Sequence, residues 1–302
     1  MTLRPWGGPD DTTVIQRLAS ARWPIGPHPG GLGWSAAIGQ LADQVVLAED
    51  PRPRGWAGLG DGELLLGVDP SCPGVHELLI DWALSVTDSP VLTVPVVDGD
   101  AALRSALRRE GFRPDPEAAP ITGMFRAASS NVTAVLPPGC RLRPADPDEV
   151  EARVEVHRSA WLPAALPWAA GKGPAVSPGA TSAFTASAYD TIRNTWLYDA
   201  TLDLVAEAHD GSLVASCIAW YDPTSKCAEI EPLGVVAEHR HRGIAGALCL
   251  EVCRRCAERG GEVVYSNQAP RSDYPAPAAS YLKVGFEVVA RGTYFTRTPS
   301  AS

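Results

Sequence analysis

A strand, a glycine-rich turn and a helix form the part of the sequence best suited to bind a ligand. In GVVAEHRHRGIAGALCLEV, the small residues Gly243, Ala245 and Gly246 let an anionic group approach the backbone closely. Amides at the start of a helix are free, and the helix dipole favours negative charge there. Arg240 and Arg242 add positive charge. The pattern predicts a phosphate site, although a plain strand–turn–helix junction can share it, and the absence of GK[ST] argues against nucleotide hydrolysis.

Two carboxylates lie on the strand that leads into this turn. Glu229 and Glu231 are two residues apart, so both point to the same face of the strand. A carboxylate can take a proton from a reacting group, directly or through water. Either side chain could instead form an ion pair or face solvent, and the sequence leaves these alternatives open.

The turn and a second motif resemble the GNAT superfamily of acyl-CoA-dependent N-acyltransferases. The family's pyrophosphate loop reads [RQ]xxGx[GA], and Arg240, Gly243 and Ala245 occupy its three positions. Its YxxxGF motif is matched by YLKVGF, which begins at Tyr281 on a helix beyond the next strand. The chain departs from the pattern at Pro277, where the family often has a small residue. Proline is tolerated in the first turn of a helix, so this departure shifts only where the helix starts.

The resemblance implies acetyl-CoA as the cosubstrate. It assigns to the coenzyme the residues of the loop, its flanks and the polar residue that ends the next strand: Val235, Val236, Arg240, His241, Arg242, Gly243, Ala245, Gly246 and Asn267. Backbone N–H groups near the two valines would polarise the thioester carbonyl.

The reaction needs a base and an acid. An amine attacks a thioester only when neutral, and a free alkylammonium has a pKa near ~10. Glu229, eleven residues before Arg240 as in several family members, is the first choice of base, and Glu231 is the second. The resemblance gives Tyr281 the role of protonating the departing thiolate, and the alternative is an aromatic core residue. Loop aromatics such as Trp161 and Tyr274 would suit a cationic or sugar-like acceptor, or would cover the edge of the core.

The elements that would position these residues occur twice along the chain. The second pass predicts helices over 146–161, 183–194, 243–259 and 278–286 and strands over 202–209, 213–221, 227–236 and 262–267. A first pass ending at REGF has a similar order, and REGF echoes the later KVGF. The first copy lacks the loop motif, since Pro73 has no N–H to offer a phosphate and Leu107 stands at the tyrosine position.

The expected fold class is α/β, with two tandem GNAT-like domains, each a mixed, mostly antiparallel sheet flanked by helices. We predict a degenerate, non-catalytic domain over 1–125 and a catalytic domain over 140–302. Residues 126–139 are rich in turn formers and are predicted to be a linker.

Composition excludes several functional classes. A net charge of −9 argues against a nucleic-acid partner, which needs a basic face. The apolar runs are too short for a membrane span and the N-terminus has no secretory apolar region, so a cytoplasmic protein is expected. Seven cysteines lack the paired spacing of a zinc site, and no metal is expected. Cys249, Cys253 and Cys256 share one stripe of a helix, which is typical of small buried side chains.

The favoured function is acetyl transfer to a primary amine of a small molecule, such as an antibiotic, an amino sugar or a metabolite. Acetylation of a protein or peptide amine is the first alternative. A non-catalytic acyl-CoA-binding sensor is the second, and the presence of both Glu229 and Tyr281 weighs against it. The sequence allows a homodimer and does not identify the acceptor.

Overall fold

Two compact units make up the chain in a computed structural model that describes residues 1–298. The first unit comprises Met1–Thr122 and the chain from Ala290 onward, and the second comprises Gly123–Val289. Residues 299–302, the end of the predicted second domain, lie outside the described residues. No helix in the described part of the chain has both the length and the apolar content of a membrane span.

The first unit is a mixed sheet with four helices. Its strands follow the order β1-β2-β3-β4-β5-β13, antiparallel except for the parallel β4–β5 pair. The strands are β1 (Thr2–Pro5), β2 (Gln44–Glu49), β3 (Pro53–Gly60), β4 (Glu63–Val68), β5 (Leu92–Val97) and β13 (Glu287–Arg297), with the short β6 (Arg113–Pro114) beside β13. The helices are α1 (Pro9–Ser20), α2 (Pro29–Ala37), α3 (Val75–Val86) and α4 (Ala101–Arg109).

The second unit repeats this plan. Its strands follow the order β8-β9-β10-β11-β12-β7, antiparallel except for the parallel β11–β12 pair. They are β7 (Ile121–Ala127), β8 (Arg141–Pro144), β9 (Asp203–Glu207), β10 (Leu213–Asp222), β11 (Cys227–Val235) and β12 (Val263–Ser266). The helices are α5 (Val150–Ala160), α6 (Ala186–Arg193), α7 (Ile244–Glu258) and α8 (Ala276–Lys283). The expected fold class, two mixed and mostly antiparallel sheets with helices, is confirmed.

The unit bounds differ from the predicted domain bounds at two places. The strand β7 begins before the predicted linker and pairs with β12, so it belongs to the second sheet. The strand β13, predicted within the second domain, pairs through Gly292–Arg297 with β5 of the first sheet. Residues typical of turns flank β7, so the sequence pattern did not predict a strand there. The pairing partner of a strand depends on distant residues, so the sequence pattern could not place β13.

The helix α7 packs on the second sheet through a continuous apolar stripe. Ile244, Leu248 and Val252 recur every four residues and are at most 1% exposed. The three cysteines of α7 are buried in the same cluster, as their spacing indicated. Burial raises the pKa of the Cys253 thiol to about 11, so this thiol stays protonated and unreactive at neutral pH.

The strand order generates a prediction about fragments. A fragment spanning 123–289 is expected to fold alone, because it keeps strand β7 from Gly123 onward and the other five strands of the second sheet in one stretch of chain. A fragment spanning 140–302 lacks β7, which leaves the edge of β12 unpaired. We expect the melting temperature of the 140–302 fragment, followed by far-UV circular dichroism, to be at least about 5 °C below that of the 123–289 fragment. Equal melting temperatures would show that β7 is dispensable.

Candidate active site

A cleft opens in the second unit where β11 and β12 separate. The two strands pair only from Cys227–Val263 to Glu229–Tyr265, after which β12 ends at Ser266 while β11 continues to Val235. The pairing of β11 with β10 also shifts register here, between Ile230 and Leu233. The cleft has a volume of about 670 Å³. Ten of the twelve predicted site residues line it: Glu231, Val235, Arg240, His241, Arg242, Gly243, Ala245, Gly246, Asn267 and Tyr281.

The two faces of the sheet contribute different groups to this cleft. Ile230 belongs to the buried cluster that includes α7 and α8, so its side chain lies on their face. A Cβ built on Gly234 would lie 2.9 Å from the Cβ of Ala160, the last residue of α5, so Gly234 faces α5. Glu229 and Glu231 flank Ile230 and therefore share the α5 face. Glu231 thus approaches the cleft from the side opposite to α7.

Glu231 is the carboxylate that reaches the cleft. Burial among the cleft walls raises its pKa to about 8, and the negative charge of Glu229 acts in the same direction. A hydrogen bond from the side chain of Asn267 opposes this shift. Such a group exchanges a proton near neutral pH, which is the property a general base requires.

Glu229, the first choice from the sequence, lies behind Glu231. Glu229 is 2% exposed and pairs with Trp220 on β10 and with Tyr265 on β12. It is absent from the cleft lining. Its structural effect on the site is electrostatic, because its charge disfavours the ionised form of Glu231.

Tyr281 enters the cleft from the α7 and α8 face. It is 6% exposed, and its ring packs edge-on against Phe286 with centroids 5.1 Å apart. Burial raises the pKa of its hydroxyl well above the usual range, and the neighbouring Cys249 adds to the shift. The Ser266 hydroxyl hydrogen-bonds to the tyrosine hydroxyl. The phenol is therefore protonated at neutral pH and can donate a proton.

The 240–246 loop presents free backbone amides to the cleft. His241 and Gly243 adopt left-handed backbone conformations, with φ of 62° and 86°. Helix α7 begins at Ile244, and no side chain in the described part of the chain caps it. The first amides of a helix have no partner within the helix, so they are available to an anion. Gly246 must be small, because a Cβ there would lie 2.8 Å from Val284 Cγ1.

The two arginines of the loop have different surroundings. The Arg240 guanidinium donates to the carbonyl oxygens of Val235 at 3.1 Å and Ala160 at 3.0 Å, and also to that of Ala165. It therefore fastens the loop to the end of α5 and the residues that follow, and three of its five N–H donors are used there. Arg242 is exposed at the cleft wall and has no ion pair among residues 1–298. The donors of Arg242 are therefore more available to a ligand than those of Arg240.

One predicted backbone contact is corrected by the structure. The Val236 amide donates to the carbonyl oxygen of Val214 at 3.0 Å, and the residue does not line the cleft. This N–H cannot polarise a thioester, because it continues the pairing with β10. Successive amides of a strand point to opposite edges, so the Val235 N–H is directed away from β10.

The cleft is also lined by residues whose role the sequence left open or did not indicate. Trp161 and Tyr274 line the cleft, which favours the first of the two roles considered for them. Ser266 and Cys249 also line it beside Tyr281, and neither was predicted. Ser266 ends a strand just before Asn267, a signal that could have suggested a site residue. For Cys249, the helical stripe indicated only burial.

In the equivalent turn of the first unit, backbone amides are hydrogen-bonded within the turn. Between β4 and α3, the Asp69 carboxylate accepts from the Ser71 amide at 2.9 Å and from its hydroxyl at 2.6 Å. The Cys72 amide donates to the Asp69 carbonyl, and the Val75 amide donates to that of Cys72. Backbone amides of the first unit thus donate to a carboxylate and to carbonyl groups, whereas the equivalent amides of the second unit are left free.

Comparisons with known proteins agree with this geometry. The acetyltransferase (GNAT) family model matches residues 175–286. A GCN5-related N-acetyltransferase from Sphaerobacter thermophilus is 20% identical, with a TM-score of 0.51 over 98% of this chain and 95% of its own. A tandem GNAT protein from the clavulanic acid biosynthesis pathway is 17% identical, with a TM-score of 0.52 over 100% and 99%. A GNAT-family acetyltransferase from Colwellia psychrerythraea is 13% identical, with a TM-score of 0.57 over 98% and 99%. No curated protein matches the chain.

The solved structures establish the fold, and the family match concerns the segment that contains most of the cleft. The chain is a tandem GNAT-fold protein whose second unit carries a domain of the GNAT acetyltransferase family. It is therefore an enzyme of the N-acetyltransferase class, and the resemblance inferred from the sequence is confirmed.

The raised pKa of Glu231 predicts a pH-dependent stability. The folded protein holds this proton more tightly than the unfolded chain, so the contribution to stability falls as pH rises from 4.5 towards 8. We expect Glu231→Gln to raise the melting temperature by at least about 2 °C at pH 9 and to change it little at pH 5. Differential scanning fluorimetry measures this. The matched control, Glu238→Gln, replaces an exposed carboxylate near the same strand and should show no such pH dependence. Equal shifts in both variants would contradict the assignment.

Proposed function

We propose that this protein transfers an acetyl group from acetyl-CoA to a primary amine of a small molecule, by direct attack of the amine on the thioester. One observation carries the proposal. Glu231 and Tyr281 reach the same cleft from opposite faces of the sheet, beside the free N-terminus of α7. A base on one side and an acid on the other suit a reaction in which one group enters as another departs.

The residues of the second unit fit acetyl-CoA. The free amides at the start of α7 suit a pyrophosphate, and Gly243 gives the loop its left-handed turn. Arg242 would add charge at the wall. The gap between β11 and β12 would admit the pantetheine arm, with the Val235 amide and Asn267 as polar partners. Acetyl-CoA supplies the activated acyl group as a substrate of the reaction.

Glu231 is the proposed base, in preference to Glu229. The amine nitrogen attacks the carbonyl carbon, the carbon–sulfur bond breaks, and the proton released by the nitrogen passes to the Glu231 carboxylate, directly or through water. A carboxyl with a pKa of about 8 is a stronger base than an ordinary glutamate. Glu229 is proposed as the positioning residue that keeps this pKa high.

Tyr281 is the proposed acid. The departing sulfur takes the proton of the Tyr281 hydroxyl, which stays protonated because it is buried. Ser266 hydrogen-bonds to that hydroxyl and holds its oxygen in place. The transfer is balanced when Tyr281 regains a proton after the products leave.

The first unit is proposed to be non-catalytic. Its turn uses the Asp69 carboxylate and its own carbonyl groups to satisfy the amides that a pyrophosphate would need. Its sequence also places Leu107 where the second unit has Tyr281. One coenzyme per chain is therefore expected.

The proposal predicts distinct effects of three variants. Glu231→Gln should lower kcat/KM by roughly 10²-fold or more, and Tyr281→Phe should lower kcat with little change in the Kd for acetyl-CoA. Glu229→Gln should retain activity. The rise of the rate with pH should shift to below pH 8, because the variant removes a negative charge beside Glu231 and so lowers its pKa. Thiol release from acetyl-CoA with free amines measures the rates of all three, and a calorimetric titration measures the Kd of Tyr281→Phe. An unchanged rate in Glu231→Gln would remove that residue from the mechanism.

A second prediction separates the two loop arginines. Arg242→Gln should weaken acetyl-CoA binding several-fold in a calorimetric titration, increasingly so at low salt. Arg240→Gln should instead lower the melting temperature, because three carbonyl groups lose their donor. The opposite pattern would overturn these roles.

The same titration on the unmodified protein tests the whole proposal. Saturable binding at one site per chain is expected. Turnover of peptide amines but not of free amines would favour a protein or peptide acceptor. Binding without turnover of either class would favour a non-catalytic sensor, and an absence of binding would overturn the acyl-CoA assignment.

A further inference from the structure

We infer that the acceptor is a monoamine whose amino group is carried on an apolar or aromatic body without a carboxylate or phosphate. This inference rests on the proposed function and deepens it, because it concerns the acceptor side of the same cleft. Three features of the cleft carry it: an apolar wall on the α5 face, the engagement of the nearby cations, and a single carboxylate.

The apolar wall lies on the face from which Glu231 approaches. It consists of Trp161, Leu166 and Pro167, which follow α5 and line the cleft, and of Tyr274 from the connection between β12 and α8. Trp161 lies over Gly234, where a Cβ would come within 2.7 Å of the indole nitrogen. An amine that approaches Glu231 from this face therefore meets flat and aliphatic surfaces.

The wall is held in place at both ends. At one end, Arg240 donates to the carbonyl oxygens of Ala160 and Ala165. At the other end, the Trp168 ring packs against Tyr274 with centroids 4.5 Å apart, and the Ala169 amide donates to the Asp273 carbonyl at 2.8 Å. A rigid ring binds more tightly to an ordered wall than to a mobile wall, because less conformational freedom is lost on binding.

Cations near the wall are already engaged. Arg271 pairs with Asp273 at 2.6 Å while lying over the Trp168 ring, and Arg158 donates to the carbonyl oxygens of Ser182 and Phe184. Arg240 uses three of its five N–H donors on carbonyl oxygens. An acceptor carboxylate would therefore lose hydration and have to compete with these partners.

The other basic side chains of the cleft are grouped around the start of α7. His239, His241 and Arg242 precede α7, and Lys283 is next to Val284, whose side chain lies against Gly246 in the first turn of α7. These residues adjoin the helix start whose amides are proposed to hold the pyrophosphate, so their charge is assigned to the coenzyme.

Only one carboxylate among the described residues lines the cleft, and it is Glu231. A diamine, polyamine or aminoglycoside carries further ammonium groups, each of which would need a counter-charge or water when buried. A single carboxylate beside an apolar wall therefore matches one amino group.

The test uses the full-length protein, saturating acetyl-CoA and a panel of matched amines. Phenethylamine is the lead compound, and ethylamine lacks its ring. Phenylalanine adds a carboxylate, and phenylalaninol adds a neutral group at the same carbon. Glucosamine and 1,4-diaminobutane represent polar and doubly charged acceptors. We expect kcat/KM for phenethylamine and phenylalaninol to exceed the values for the other four by at least roughly tenfold.

A charge placed in the wall provides a second readout. Leu166→Lys should raise the ratio of kcat/KM for phenylalanine to that for phenethylamine by at least about fivefold, because the carboxylate gains a partner. Val176→Lys is the matched control, since Val176 lies in the same connection between α5 and α6 but outside the cleft lining. It should leave the ratio unchanged.

The outcomes distinguish this inference from the function on which it rests. A preference for phenylalanine, glucosamine or 1,4-diaminobutane would overturn the acceptor class while supporting acetyl transfer. Saturable acetyl-CoA binding with no turnover of phenethylamine would also overturn the acceptor class. A failure to bind acetyl-CoA at all would overturn the proposed function first.

Discussion

The separation of β11 from β12 is the constraint on which the rest of the second unit depends. After three paired residues the strands diverge, and six residues of β11 continue without a neighbour on that side. Buried backbone groups need partners, so a gap of this kind is stable only if water or a ligand occupies it. The free amides at the start of α7 add to the same demand. The cleft is therefore a place where the fold itself requires polar occupants.

The sheet also divides the proposed chemistry between its two faces. Glu231 is half-buried on the α5 face and Tyr281 is buried on the α7 and α8 face, so a base and an acid reach the cleft from different sides. Burial raises the pKa of both groups, with different consequences for catalysis. It brings the pKa of the carboxyl to about 8, within reach of neutral pH, and moves the pKa of the phenol further from it. One group becomes a better base while the other remains a proton donor.

The two units show how one architecture can keep or lose a ligand site through its turns. Both units place a turn and a helix between the two strands of the parallel pair. In the second unit, Gly243 in a left-handed conformation opens the turn towards the cleft. In the first, Asp69 and neighbouring carbonyl groups bind the amides internally. The difference lies in which group satisfies the backbone, and the surrounding strands are alike.

Local spacing was enough to predict the fold class, the tandem arrangement, the 240–246 loop and the place of Tyr281 on its helix, because these depend on residues close in the chain. It also determined that two carboxylates share one face of β11. Which of them reaches the cleft depends on strand pairing, since Glu229 lies where β11 and β12 still pair and Glu231 lies where they have parted. The tertiary structure likewise decided that carbonyl groups after α5 occupy Arg240. It placed β7 and β13 in different sheets from those the chain order suggested. Each of these outcomes depends on groups that are distant in sequence, whose competition for hydrogen bonds and burial no local pattern records.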